Sequence, residues 1–294
     1  MILSPIFVRR AALFAASVLL LAYVLGPVAW LLSSALQREA DITSIPPHWI
    51  PHPPTLASFR AIVQAGLGTL PADAAFVPST ALYLLPALRN SLVVACAVVV
   101  LNLAVSVPAA YAMAKIRYVG RNLSVYFMLA TRVIPDIALV VPFFLFVRKL
   151  GLLDSVGALI ITYLAVTVPF SVFMLLSYFE GLPDELDKAA RVDGCSRFGA
   201  LVRVFLPLAL PALVAVILFT FLTSWNEFLF ALMFTQTAAS QTVPIIVASF
   251  TSDFTTSFSF INAAGVVAIV PPVAIAVMFE RYIVSGLTAG AVKG

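Results

Sequence analysis

The sequence predicts an all-α membrane protein with six transmembrane helices, and two observations carry this prediction. Of its 294 residues 62% are hydrophobic and 10% charged, whereas a soluble domain has about 45–50% apolar and about 25% charged residues. The charges are also clustered, so that long uncharged stretches separate them. A membrane helix needs about 20 mostly apolar residues, and the stretches lack the alternation of a membrane β-strand. This composition excludes an ordinary cytosolic enzyme and a disordered or fibrous chain.

Six stretches are long enough to span a bilayer. The first is too long for a cleavable signal peptide, which has an apolar core of about 7–15 residues, and is therefore predicted to be a retained helix. Residues 228–252 are uncharged as well, but the polar run TQTAASQ followed by Pro244 predicts a helix that ends near Phe234 and then a loop to about residue 257. The candidate spans are 11–37, 90–114, 122–147, 155–179, 204–226 and 254–279.

The distribution of Lys and Arg predicts which side each loop occupies. With the N-terminus inside, eleven basic residues fall in inside segments and five in outside segments. This excess favours a cytoplasmic N-terminus and, after six spans, a cytoplasmic C-terminus. The net charge of +4 thus reflects membrane orientation, and the basic residues show no clustering with exposed aromatics that would indicate nucleic-acid binding.

The predicted outside loop 38–88 contains five prolines within Pro46–Phe59, which favours extended, non-helical chain. His48 and His52 lie there, and in such chain a spacing of four does not place them on one helix face, so no metal site is predicted. The chain has no phosphate-binding G-x-x-x-x-G-K-[ST] motif, no H-E-x-x-H and no G-x-S-x-G. A channel, carrier or transporter subunit is therefore favoured over an enzyme.

The predicted inside loop, about 180–203, is short and densely charged. Pro183 and Asp184 are a helix-start signal, the first turn is acidic, and Gly194 can end the helix. Leu186, Ala189 and Ala190 form a small apolar stripe at helical spacing. This pattern is compatible with an amphipathic helix that docks in a groove of another protein and with a solvated connecting helix.

Residues Lys188–Pro207 read KAARVDGCSRFGALVRVFLP. This resembles the EAA loop of ABC importer permeases, E-A-A-x3-G-x9-I-x-L-P, with Lys188 in place of Glu and Val204 in place of Ile. The resemblance extends over about residues 85–294. It rests on the segments NSLVVA, AAYAMAKIRYVGRN, TRVIPDIALVVPFFLFVRKLGLLDS, LPDELDKAARVDG, WNEFLFAL and ERYIVSGLTAGAVKG.

The chain is thus identified as similar to the sugar-importing branch of binding-protein-dependent permeases, specifically the shorter second permease of maltose-type transporters. The resemblance implies the type I ABC importer permease fold, with a first helix and extracytoplasmic loop at 1–88 and a core permease domain at 89–294. Within the core it implies a coupling loop at 180–207 and a cytoplasmic tail at 285–294. The family usually has Gln where Glu280 stands.

The resemblance also implies roles for particular residues. The EAA segment would form a coupling helix that contacts a separate ATPase, and the tail would reach the same ATPase unless it is only a frayed end. The predicted ATPase-coupling residues are Glu185, Asp187, Lys188, Ala189, Ala190, Gly194, Leu206 and Pro207. The predicted tail contacts are Gly286, Gly290, Ala291 and Lys293.

Four further residues are candidates for the solute pathway or its gate. Arg132 and Asp136 are charges within a span, which are costly in lipid and normally face a cavity or a partner; four residues apart, they are expected to share a helix face despite Pro135. They either line or gate the pathway or form a structural pair. Asn226 and Glu227 are expected to face substrate or the partner permease. The outside segment 235–258, with Gln236, Gln241 and Asp253, is expected to reach the binding protein.

The resemblance implies a subunit that catalyses no reaction, binds no cofactor or metal and moves a sugar, polyol or glycerol-phosphate-type solute inward by alternating access. ATP and Mg would be bound by two partner ATPase subunits. The other implied partners are a second, homologous permease and an extracytoplasmic substrate-binding protein, in a bacterial-type cytoplasmic membrane. The alternatives are a self-contained secondary carrier or channel, for which no second copy of the loop is present, and a membrane enzyme.

Overall fold

The computed structural model describes residues 5–70, 77–116, 118–251 and 257–291, and every regular element in these ranges is helical. A π-helical turn spans Leu201–Phe205. The helices are α1 (Pro5–Ala35), α2 (Glu39–Ile42), α3 (Ala57–Gly66), α4 (Ala81–Lys115), α5 (Arg121–Thr131), α6 (Asp136–Lys149), α7 (Val156–Glu180), α8 (Glu185–Val192), α9 (Arg197–Ala200), α10 (Leu206–Leu208), α11 (Leu210–Trp225), α12 (Leu229–Phe234), α13 (Val243–Ser249) and α14 (Phe258–Ala291).

Four of these helices, α1, α4, α7 and α14, are long and apolar enough to cross a membrane alone. Two bent pairs complete a total of up to six spans: α5 with α6 at 97°, and the Arg197–Leu208 helices with α11 at 83°. The predicted all-α membrane fold is confirmed. The third and fifth predicted spans are broken, however, and not continuous helices.

The fifth span ends at Trp225, one residue before the predicted end, and the helix predicted to end near Phe234 is the separate α12. Two other predictions were wrong in detail. Helix α4 begins at Ala81, nine residues before the predicted start, because the exposed Arg89 near the end of a span does not interrupt a helix. The segment expected to be a loop up to residue 257 contains α13.

One compact unit comprises the chain up to Leu85 together with Val247–Ile269. Its linker after α2 is non-helical up to α3, so the absence of helix predicted for Pro46–Phe59 is confirmed except for the last three residues, although the linker contains several bends. Side chains of α1 and the following turn fasten this linker: Ser33 Oγ donates to the Trp49 carbonyl at 2.6 Å and Gln37 Nε2 to the His48 carbonyl at 2.9 Å.

The same unit fixes the start of α14. The Glu39 carboxylate accepts hydrogen bonds from the N–H groups of Phe258 and Ser259, each at 2.9 Å, and from the Ser257 hydroxyl. Burial raises the pKa of Glu39, but these donors outweigh it and leave the pKa below its ordinary value. Glu39 therefore acts as a charged N-terminal cap of α14.

The second unit comprises Pro86–Ile246 with Val270–Gly294. Two apolar clusters hold its spans together. Tyr111, Phe179 and Phe205 meet edge to face in the first, where α4, α7 and the π-helical turn converge. Phe143 of α6 packs on Phe230 of α12 in the second. The predicted division of the chain at residue 88/89 stays a prediction.

Candidate functional site

The charged segment between α7 and α11 contains the short helix that the sequence predicts. Helix α8 spans Glu185–Val192, with acidic residues in its first turn. It ends in the two hydrogen bonds of a Schellman motif, from Cys195 N–H to the Ala190 carbonyl and from Gly194 N–H to the Arg191 carbonyl. Gly194 has φ of 84°, a conformation that glycine adopts without a steric penalty. The predicted start and end of this helix are confirmed.

One face of α8 packs on the spans. Ala190 is 5% exposed, and Leu186 packs on the apolar cluster that contains Tyr111 and Phe205. Tyr111 of α4 donates its hydroxyl hydrogen to the Asp187 carboxylate at 2.6 Å. Lys115, at the end of α4, donates to the Asp184 carboxylate at 2.8 Å and to the Leu182 carbonyl at 2.7 Å. These α4–α8 contacts fix the orientation of α8.

The opposite face of α8 points away from the spans. Glu185, Lys188, Ala189 and Val192 follow one another at spacings of three, one and three residues, so they form one stripe, and all four are exposed. Val192 is 87% exposed. The mixed composition, with two charges beside one small and one branched apolar group, is compatible with a small docking surface. We call these four residues the α8 stripe.

The structure thus separates the residues that the sequence analysis grouped as ATPase contacts. Glu185, Lys188 and Ala189 lie on the α8 stripe, whereas Asp187 and Ala190 face the spans. Beyond α8, Leu206 packs on the apolar cluster that contains Tyr111 and Phe205. The exposed Pro207 lies in α10, before the bend into α11.

Arg132 and Asp136 do not share a helix face, so that expectation was wrong. The helix is interrupted between them: Arg132 follows the last residue of α5, Pro135 precedes α6, and Asp136 begins α6 at an angle of 97° to α5. Both nevertheless line one pocket of about 360 Å³, together with Thr131, Phe143 and Val166. Arg132 Nη1 donates to the Val166 carbonyl at 3.0 Å, and its guanidinium lies 5.7 Å from the centre of the Phe170 ring. The pocket therefore combines a cation, a carboxylate and apolar walls.

Asn226 and Glu227 make local contacts at the break between α11 and α12. The Glu227 carboxylate accepts hydrogen bonds from Phe230 N–H at 2.8 Å, Ala231 N–H at 3.1 Å and the Tyr163 hydroxyl at 2.6 Å. Asn226 Nδ2 donates to the Leu222 carbonyl. Glu227 caps α12 and ties it to α7, and neither residue lines the pocket beside Arg132.

The tail residues that are predicted to contact the ATPase lie within α14, the last described helix, or beyond it. Gly286, Gly290 and Ala291 fall within α14, while Lys293 lies outside the described residues, as does Asp253 of the predicted outside segment. Among the described residues, His, Cys, Asp and Glu side chains form no group of three or more placed to hold a metal ion.

Tyr111 and Lys115 were missed by the sequence analysis. Both lie on α4, more than 60 residues from their partners on and before α8, and no local pattern connects such distant positions. Val192 could have been found, because its spacing from Glu185, Lys188 and Ala189 already marks one helix face.

Broken apolar spans, a polar pocket beside one break and an exposed amphipathic helix define a membrane transport subunit. More particularly, the chain belongs to the family described as binding-protein-dependent transport system inner membrane component, whose profile matches residues 106–288. It is a permease of the sugar ABC transporter family and not an enzyme.

Three relatives of the chain are named as transport system permease proteins. The chain is 37% identical to the sulfoquinovosyl glycerol transport system permease protein SmoH of Agrobacterium fabrum, over 99% of this chain and 97% of that protein. It is 42% identical to the trehalose/maltose transport system permease protein MalG of Thermococcus litoralis, over 70% and 75%. It is 32% identical to the trehalose transport system permease protein SugB of Mycobacterium tuberculosis, over 97% and 99%.

A solved structure shares the fold. It is the crystal structure of a bacterial ABC transporter involved in the import of the acidic polysaccharide alginate, and the similarity covers 96% of this chain and 99% of that chain. The TM-score is 0.76 at 21% sequence identity. At this identity the similarity establishes the type of fold, and the predicted ABC importer permease fold is confirmed.

Proposed function

We propose that this chain is one of two homologous permeases of an ABC importer that moves a sugar or sugar-glycerol solute inward by alternating access. A separate ATPase drives the movement by contact with the α8 stripe. The observation that carries the proposal is the division of α8 into one face fastened by Tyr111 and Lys115 and one exposed face. A force applied to the exposed face would pass through the α4–α8 contacts into α4.

The proposed orientation places both termini and α8 in the cytoplasm, and the segment between α12 and α14 outside. The importer then comprises this chain, a second permease, two ATPase subunits and an extracytoplasmic binding protein. ATP and Mg bind to the ATPase subunits. In this arrangement Gly286, Gly290, Ala291 and Lys293 approach the ATPase from the end of α14.

We propose that the Arg132 pocket lies on the solute pathway. The guanidinium has five N–H donors, and one is recorded on the Val166 carbonyl. The remaining donors suit the oxygen atoms of sugar hydroxyl or anionic groups. The names of the relatives, which include trehalose, maltose and sulfoquinovosyl glycerol, support a sugar class that spans neutral and anionic members.

Reconstitution tests the proposed function directly. The chain is purified with its partner permease and ATPase subunits and inserted into proteoliposomes. We expect these proteoliposomes to accumulate one of trehalose, maltose or sulfoquinovosyl glycerol. Accumulation should require both ATP inside and sugar-loaded binding protein outside. Accumulation without ATP would instead identify a secondary carrier. Purified chain that brings no ATPase subunit with it would contradict the proposal.

In the same assay, Arg132→Gln should lower the uptake rate by at least about tenfold, which corresponds to about 1.4 kcal/mol. The charge and most of the donors beside the pocket are removed, while the ATPase subunits should still co-purify. Arg148→Gln is the matched control, because this exposed arginine lies in the last turn of α6 and does not line the pocket. Equal uptake by the two variants would remove Arg132 from the pathway.

A further inference from the structure

A row of buried polar side chains runs between three of the membrane-spanning helices. Each of α4, α7 and α11 contributes two of them, four residues apart, so that both lie on one face of their helix. None of the side chains belongs to a residue that is more than 6% exposed. The six residues, which we call the polar seam, are Asn102 and Ser106 of α4, Thr167 and Ser171 of α7, and Thr220 and Ser224 of α11.

Two contacts within the polar seam join the three helices. Asn102 Nδ2 donates to the Thr167 hydroxyl oxygen at 2.9 Å. The hydroxyl oxygens of Ser171 and Thr220 lie 3.5 Å apart, which is long for a hydrogen bond between two hydroxyl groups. A well-formed hydrogen bond therefore connects α4 to α7, and a long one connects α7 to α11.

Half of the residues in the polar seam carry a polar atom without a partner. Among the described residues, Asn102 Oδ1, Ser106 Oγ and Ser224 Oγ have no hydrogen-bond partner. Such an atom costs free energy when it is buried, and inside a bilayer no bulk water compensates for it. Since nearly all buried polar groups in folded proteins are bonded, three unbonded ones in one row indicate a second arrangement of these helices in which they are bonded.

The spacing within the polar seam shows which rearrangement is available. Helices α4 and α7 run side by side in the same direction, because Asn102 bonds to Thr167 and, nearer to both C-terminal ends, Tyr111 packs on Phe179. A spacing of four residues is about one helical turn, or about 5 Å along the axis. A shift of α4 by one turn in either direction again places one of its two polar side chains opposite one of α7. Shifts of one turn between packed elements are an established form of conformational change.

We infer that the polar seam is the contact along which α4 shifts against α7 and α11 during transport, with an exchange of hydrogen-bond partners. The inference rests on the proposed function, in which an ATPase acts on α8. Tyr111 and Lys115, which fasten α8, lie on the same helix as Asn102. A force on α8 therefore reaches the polar seam through α4. The inference adds the place within the membrane where that force becomes movement.

Removing both members of the α4–α7 hydrogen bond tests the inference in the reconstituted importer. In the double variant Asn102→Leu with Thr167→Val, apolar side chains of similar size replace the bonded pair. The melting temperature of the purified importer should not fall, because replacing both partners by apolar groups of the same shape is nearly neutral or stabilising. ATP-driven uptake should fall at least about tenfold, because interdigitated apolar side chains hold the helices in one position.

Thr162→Val is the matched control on the same helix. Thr162 is also buried, but its hydroxyl donates to the Ala158 carbonyl of α7 itself at 2.8 Å and does not belong to the polar seam. This variant should keep its uptake. Unchanged uptake by the double variant would show that the polar seam only holds the helices together, and it would overturn the inference.

Spin labels on α4 and α7 measure the shift directly, and they decide the matter if the double variant assembles poorly. Cys96 of α4 and Ser177 of α7 are both exposed and lie on opposite sides of the Asn102–Thr167 contact along the two helices. The distance between labels at these positions therefore runs largely along the helices. In the importer with Ser177→Cys and Cys195→Ser, a second distance that differs by about 5 Å should appear when ATP, Mg and sugar-loaded binding protein are added.

A label pair within α7 is the control for movement of the labels themselves. It consists of Ile161→Cys and Ser177→Cys, both at exposed positions, with Cys96→Ser and Cys195→Ser. This pair should keep one distance throughout, because both labels belong to one helix. A distance between α4 and α7 that changes no more than the distance within α7 would overturn the inference.

The failure of this inference and the failure of the proposed function are distinguishable. If ATP drives no uptake by the unaltered importer, the proposed function fails. If ATP drives uptake while the distance between α4 and α7 stays single, only the shift along the polar seam fails.

Discussion

Replacing Gly194 by valine is expected to abolish ATP-driven uptake while the chain still inserts into the membrane. Gly194 adopts φ of 84°, and an L-residue in that conformation costs about 1–2 kcal/mol, more for a β-branched side chain. A Cβ there meets nothing within 4 Å, so the penalty is conformational and not a clash. The least costly relief is to abandon the Schellman turn, which lets the end of α8 and the α8 stripe move.

Gly120 offers a matched control. It also has a positive φ, 89°, and a Cβ there also meets nothing within 4 Å, but it precedes α5 and not the end of α8. Gly120→Val should lower thermal stability to a similar extent and retain ATP-driven uptake. Uptake should be measured in proteoliposomes together with the amount of inserted chain. Normal uptake by Gly194→Val, or equal loss in both variants, would remove the special role of the α8 terminus.

Replacing Ala189 by arginine is expected to release the ATPase subunits without unfolding the chain. Ala189 is exposed on the α8 stripe, and exposed substitutions usually change stability by less than about 0.5 kcal/mol. In an assembled importer, a long charged side chain at a closely packed contact costs about 1–3 kcal/mol. This corresponds to a loss in affinity of about 5-fold to about 150-fold. Co-purification of the ATPase with the tagged chain measures the effect.

Ala239→Arg is the control for this change. Ala239 is likewise an exposed alanine, but it lies between α12 and α13 and not on α8. This variant should keep its ATPase subunits. Retention of the ATPase by Ala189→Arg would exclude a close contact at the α8 stripe.

Much of the fold could be predicted because a membrane imposes a simple rule on composition. Uncharged runs of sufficient length located the spans, and Pro183, Asp184 and Gly194 located both ends of α8. These are local signals, in which a few neighbouring residues determine the backbone.

The breaks in the spans were harder to predict. Pro135 lies at the bend immediately before α6, yet Pro142 and Pro169 lie inside continuous helices. Proline is tolerated within membrane helices when neighbouring groups satisfy the freed carbonyls. Whether a given proline breaks a span therefore depends on its tertiary neighbours. At the break between α5 and α6, one such neighbour is the Val166 carbonyl, which accepts a hydrogen bond from Arg132.

The candidate sites were predicted only in part for the same reason. The sequence identifies α8 as amphipathic, but its outward face is set by Tyr111 and Lys115 of α4. The stripe predicted from Leu186, Ala189 and Ala190 is divided: Leu186 and Ala190 pack on the spans, and only Ala189 is exposed. Likewise, Asn102 bonds to Thr167 across 65 positions, and a spacing of that size has no periodic signature in a single sequence.

The central claim is that the α8 stripe contacts an ATPase subunit, and photo-crosslinking from Val192 tests it most directly. A benzophenone amino acid at this exposed position, irradiated in native membranes, should yield an adduct with the ATPase subunit. The same group at Ala239 should yield no such adduct. Absence of an ATPase adduct from Val192, or equal adducts from both positions, would contradict the account.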